Sequence, residues 1–192
     1  MKKHTTKNQK GFTLIETLIA VLILALTVGA LLTLTAGGFF SIRYAKNDIV
    51  ASNLLQESLE YIRNTRDSAS QQGMSWTDWL GLYQQCQTTD GCAINPYAQS
   101  STNIIIGCPA RCANLAYFPN SGFYGYPGSN VFDPLGLDTQ PYETSFVRTI
   151  TMELVNQATS PQLVVTARMQ WLNGTNNKSA SQSIILTPWN LQ

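Results

Sequence analysis

From Phe12 to Phe40 the chain is apolar throughout, and Glu16 is the only side chain in that run able to carry a charge. As a helix the run would be roughly 43 Å long at about 1.5 Å per residue. A bilayer's hydrocarbon core is about 30 Å thick, so such a helix could cross it. The pattern then turns amphipathic. Ala51, Leu54, Leu55, Ser58, Leu59 and Ile62 recur at helical spacing, with Asn53, Glu57, Glu60, Arg63 and Asn64 on the other face. That stripe is suited to packing on a sheet. No proline occurs before Pro96. The spacing therefore predicts one helix from Phe12 to about Ser68, membrane-spanning over 12–40 and amphipathic over 41–68. Gly37-Gly38 is its weak point and a place to bend, since each glycine costs about 1 kcal/mol in a helix interior.

Residues 69–143 show no sustained period. A short helix is expected over Ser75–Tyr83, with Trp76, Trp79, Leu80 and Tyr83 as core or subunit-contact aromatics. Turn formers then crowd the chain: Asn95-Pro96, Pro119-Asn120, Gly122, Gly125, Pro127-Gly128, Pro134 and Gly136. Tyr117, Phe118, Phe123, Tyr124 and Tyr126 interleave with them. They read either as an exposed adhesive loop or, the favoured reading, as a loop pinned to the domain by its rings. From 144 to 192 the period becomes two. Phe146, Arg148, Ile150, Met152 and Leu154 share one face, as do Leu163, Val165, Ala167, Met169 and Trp171. Ser183, Ile185 and Thr187 alternate with Ile184, Leu186 and Pro188. Turns at Asn156–Pro161 and Asn173–Lys178 make this an antiparallel meander of three strands. The fold class is α+β.

Before the apolar run lie Lys2, Lys3, Lys7 and Lys10. Positive charge there keeps the N-terminus cytoplasmic and sends the rest outward. A carboxylate just inside the run needs a partner, because intramembrane acids are costly. Cutting between Gly11 and Phe12 would make one, an α-amine with a reference pKa of about 7.7–8.0. It would be available to Glu16 of its own chain or of a neighbour.

The run Gly11-Phe12-Thr13-Leu14-Ile15-Glu16 after a short basic leader resembles the processing site of type IV pilins and type II secretion pseudopilins. The resemblance implies that a prepilin peptidase removes residues 1–11 and that Phe12 is then N-methylated. It implies that Glu16 guides assembly into a helical filament, with other pilin subunits and an inner-membrane assembly platform as partners. The pattern Ala51-x-x-Leu54-x-x-x-x-Leu59-Glu60-x-Ile62-Arg63 is similar to the stem of one minor-pilin group. The order of helix, variable region and antiparallel sheet is similar to the pilin fold. Two other readings of the N-terminus remain. One is a secretory signal cut near Thr27-Val28-Gly29-Ala30, although the apolar run continues beyond that point. The other is a plain anchor in which Glu16 only favours the positive end of a helix dipole.

Composition narrows the rest. Of 192 residues, 12% are charged and the net charge is +1. Losing residues 1–11 would remove four of the twelve Lys and Arg and no acid, leaving −3. Nothing in this balance suggests a nucleic-acid surface. The one histidine, His4, lies in the leader, so the mature chain would hold none for a triad or a metal. No G-x-S-x-G, phosphate-binding loop or H-E-x-x-H occurs. No enzyme, cofactor or metal site is expected. Asp133, Asp138 and Glu143 lack the dense spacing of a calcium loop. Cys86, Cys92, Cys108 and Cys112 in an exported domain predict two disulfides, with a zinc tetrathiolate as the competitor. Three connectivities are open.

The reading is a structural subunit of a pilus-like filament, with a minor subunit favoured by the Cys-stapled, aromatic-rich insertion. Its rivals are a type II secretion pseudopilin and a pilin-anchored surface adhesin or binding module. The location would be a single-pass inner membrane precursor, then an extracellular pilus or periplasmic pseudopilus.

Overall fold

The computed structural model describes residues 11–98, 104–126, 141–156 and 161–189. The basic leader residues 1–10, Pro127-Gly128, Asp133, Pro134, Gly136, Asp138 and the turn at 157–160 lie outside them. Internal contacts divide the chain into two units, Met1–Ala45 and Lys46–Gln192.

Helix α1, Leu14–Gln71, contributes to both units. It begins where Thr13 accepts backbone N–H bonds from Glu16 and Thr17 at 3.1 and 3.3 Å. Helix geometry continues through Gly37-Gly38, where a bend was expected. The helix also ends three residues later than the predicted Ser68. Gly73 closes it at φ 71°. The Gly73 N–H donates to the Ser70 carbonyl and the Met74 N–H to the Ala69 carbonyl. This is a Schellman termination, which needs a residue tolerant of positive φ. In the first unit the large apolar side chains lie exposed, among them Phe12, Leu18, Leu24, Leu31 and Phe40. Thr17, Thr27, Thr33 and Thr35 return their hydroxyl hydrogens to carbonyls three residues back, at 2.8–2.9 Å. That satisfies their donors inside an apolar helix.

In the second unit all six residues of the predicted stripe are buried, Ala51, Ser58 and Ile62 completely. Among the described residues the sheet they join has seven strands, where the pattern predicted three. They are β1 (Cys92–Ile94), β2 (Ile105–Gly107), β3 (Asn114–Phe118), β4 (Phe123–Gly125), β5 (Tyr142–Asn156), β6 (Pro161–Asn173) and β7 (Asn176–Leu186). All pairings are antiparallel. The meander β5–β6–β7 matches the sequence pattern, and Leu163, Val165, Ala167, Met169 and Trp171 all face the core. Gly174 at φ 64° starts the two-residue β6–β7 turn, as a type II′ hairpin requires. Leu154 keeps the inward phase but sits at a strand end and is 43% exposed.

The described residues of 69–143, expected to show no sustained period, hold regular elements. Besides β1–β4 they include α2, Trp76–Leu82, and a 3-10 turn, Gln84–Gln87. Ser75 caps α2 by accepting the Asp78 N–H at 3.1 Å. β5 is the strand that organises this region. On one edge it meets β6 from Val147 to Asn156; on the other it meets β3 between Tyr142 and Val147 and β1 at Ile150. One core joins α1, α2, the sheet and both disulfides.

Candidate functional site

Gly11, Phe12 and Glu16 stand together at the start of α1, all exposed. Glu16 is the third helical residue and Thr13 the cap, with the Thr13 hydroxyl 3.4 Å from the Glu16 N–H. A threonine cap with glutamate three residues on is the arrangement of a capping box. The carboxylate lies in the first turn, where the helix dipole favours negative charge. Glu16 has no ion-pair partner among the described residues. A Cβ built on Gly11 would meet nothing within 4 Å. The packing of the described residues therefore places no demand for glycine at that position.

The four cysteines form Cys86–Cys92 and Cys108–Cys112, each with Cα atoms 4.6 Å apart. The first ties the 3-10 turn to β1. The second closes the loop between β2 and β3. Trp76, Trp79 and Tyr83 pack as core aromatics, joined by Trp189 from beyond β7. Trp79 and Tyr83 also border a cleft of about 640 Å³ with Tyr61, Met74 and Ile105. The rings of the turn-rich segment are pinned rather than displayed. Phe118 and Tyr126 are buried, Phe123 stacks on Tyr97 at 4.2 Å, and Tyr124 meets Phe146 edge-on at 6.0 Å.

Sequence reasoning missed a buried charge network. Arg148 is wholly buried in β5. Its guanidinium donates to Glu57 at 2.7 Å and to the Leu54 and Ile94 carbonyls at 3.3 and 2.5 Å. The other Glu57 oxygen accepts the Tyr97 hydroxyl at 2.6 Å. These bonds lock helix α1, strand β1 and strand β5 together at one point. Burial, and then the adjacent Glu57 carboxylate, push the Tyr97 phenol up to about 12. The signal was available in the phase of Arg148, which falls among core-facing residues. A buried arginine must find an anion, and Glu57 lay on the facing helix, although its position read as solvent-facing.

A family model described as the prokaryotic N-terminal methylation motif matches residues 6–32. Comparison with curated proteins and with solved structures returns no match. The matched segment contains Gly11, Phe12 and Glu16 and most of the apolar run. It supports the type IV pilin and pseudopilin family. The long N-terminal helix followed by an antiparallel sheet is the pilin-like α+β arrangement. The motif implies a structural subunit that is processed by a peptidase and assembles with other pilins. α1 is long and apolar enough to cross a membrane, which fits a membrane-anchored precursor.

Proposed function

We propose that this chain is a minor subunit of a type IV pilus-like filament. Its leader, residues 1–11, is removed at the Gly11–Phe12 bond, Phe12 is N-methylated, and Glu16 directs assembly through the 12–40 helix. The observation that carries this reading is the methylation-motif match over residues 6–32 at the start of an exposed apolar helix. The free space around Gly11 supports it further. Glycine there answers no packing need among the described residues, and a peptidase cleft that admits only a bare backbone would supply one. The two disulfides and the pinned aromatic hairpin favour a specialised subunit over the repeating major one. Its partners would be other pilins, the prepilin peptidase and the inner-membrane platform.

The test is the mature N-terminus by mass spectrometry. N-methyl-Phe12 is expected, and Gly11→Val is expected to leave full-length precursor in the membrane. Trimming at Phe12 in that variant would overturn the assignment. A type II secretion pseudopilin shares every one of these features, and incorporation into surface pili rather than a secretion complex separates the two.

A further inference from the structure

The pairing of β5 with β6 stops short of the end of β6, and a cleft lies there. β5 pairs with β6 from Asn156 back to Val147, opposite Gln170, and goes no further. β6 continues with β7 as far as Asn173, opposite Asn176. The end of β6 therefore loses its β5 neighbour. Leu172 donates its backbone N–H to the Ser145 hydroxyl at 3.1 Å instead. The register across β5 and β3 shifts in the same stretch, between Asn114 and Ala116. A cleft of about 490 Å³ lies there, within the size range of small-ligand sites.

Its lining is chemically one-sided. One register row crosses four strands as Asn114–Val147–Gln170–Ser179. Residues directly opposite one another share a face, so Asn114, Gln170 and Ser179 stand on the same side and line the cleft. Arg111 joins them, Lys178 borders the cleft from the opposite face of the β6–β7 pair, beside core-facing Trp171, and no carboxylate lines it. Among the described residues neither cation has an ion-pair partner, whereas Arg63, Arg66 and Arg148 do. Asp48 lies with Lys178 around a neighbouring depression but forms no ion pair with it.

Arg111 is held in place by the chain around it. It sits inside the Cys108–Cys112 loop, directly after Ala110, which adopts φ 68°. Ala110 is the one non-glycine residue with positive φ among those described. Such strain persists only where surrounding structure over-determines it, and it concentrates at binding sites. Here the loop closure overrides the conformational preference of Ala110 and fixes the origin of the Arg111 side chain.

We propose that this cleft binds a small acidic saccharide, with Arg111 taking the carboxylate, Lys178 attracting it from across the β6–β7 pair, and Asn114, Gln170 and Asn177 taking the hydroxyls. Charge-assisted bonds from a guanidinium favour a planar anion. Amides serve hydroxyl groups because each carries both donors and an acceptor. The site contains only residues between 111 and 179, so it stands or falls independently of processing and filament assembly.

The experiment uses the full chain in detergent micelles and titrates D-galacturonic acid, D-galactose and acetate separately by NMR. Galacturonic acid is expected to bind at least about tenfold more tightly than either other probe. Arg111→Gln is expected to weaken it by about tenfold or more, and Lys178→Gln by less. Arg168→Gln, an exposed cation on β6 outside the cleft lining, is expected to leave it unchanged. Disulfide mapping of the Arg111→Gln protein confirms that its loop is still closed. Equal binding of galactose would overturn the role of the cations. Acetate binding as tightly as galacturonic acid would overturn the saccharide, leaving a simple anion site of the kind an acidic side chain of a neighbouring subunit could fill. Binding unaffected by both cleft substitutions, or no binding at all, would also overturn the proposal.

Discussion

At the scale of single residues, Glu16 and Glu57 are opposite cases of one problem, a carboxylate near apolar surroundings. Glu57 has its partner in the fold, Arg148, and shares it with no other ion pair among the described residues. Glu16 has none there, so in lipid it must be protonated, hydrated or paired from outside the chain. An ammonium on a neighbouring subunit would complete it, and an unpaired buried charge costs about 3–5 kcal/mol. Glu16→Leu is therefore expected to insert and be cleaved normally yet to be lost from sheared filaments. Its normal incorporation there would reduce Glu16 to a helix-end charge. For the buried pair the expectation is asymmetric. Glu57→Gln strands the Arg148 guanidinium and should lower stability by roughly 3 kcal/mol. Arg148→Met removes the charge itself and should cost less, because hydrophobic replacement of buried ions is often nearly neutral. Urea unfolding of the two variants, and of the double variant, measures the difference.

Among the elements, length decided what could be read from sequence. α1 repeats its period over many turns, so its stripe was legible residue by residue. β6 alternates over thirteen residues and was legible for the same reason. β1, β2 and β4 have three residues each, too few for any alternation to emerge from turn formers. What holds them is closure and contact rather than pattern. Each disulfide spans a loop of a few residues and contributes about 2 kcal/mol in the chain-entropy account. Gly91, just before β1, shows how closely this segment is fitted to β5. It has φ 70°, and a Cβ there would lie 2.5 Å from the Ile150 carbonyl oxygen. Gly91→Ala should therefore force β1 away from β5 and destabilise the domain by roughly 2–3 kcal/mol. A denaturation midpoint unchanged from wild type would show that β1 adapts freely.

The whole second unit shares one core, so its stability is expected to respond to buried phenols as a unit. The Tyr83 phenol is pushed up to about 12 chiefly by burial, partly opposed by its 2.6 Å bond with Thr65. Tyr97 is raised to about the same value. In the unfolded chain tyrosine ionises near about 10. Below that pH both states hold these protons and the stabilisation is fully present. From there up to about 12 the unfolded state gives them up first, so it binds fewer protons and stability falls as pH rises. Urea midpoints measured between about pH 9 and 12 should decline. Tyr83→Phe and Tyr97→Phe should each flatten that decline, and a slope unaltered by both would remove these phenols as its cause.

The long helix, the inward faces of α1 and β6, the order of helix before sheet and the oxidised cysteines were determined by the sequence itself. They rest on local repetition and on residue chemistry, both of which survive without knowing what lies opposite. The methylation motif is local in the same sense, six ordered residues before an apolar run. Only the tertiary structure decided that β1 and β3 share one edge of β5 and that the cysteines pair in sequence order. Only it turned Glu57 toward Arg148 and opened the cleft beside Arg111. Each of those depends on which distant residues come into register, and that is set by the packing of the whole core rather than by any segment's own period.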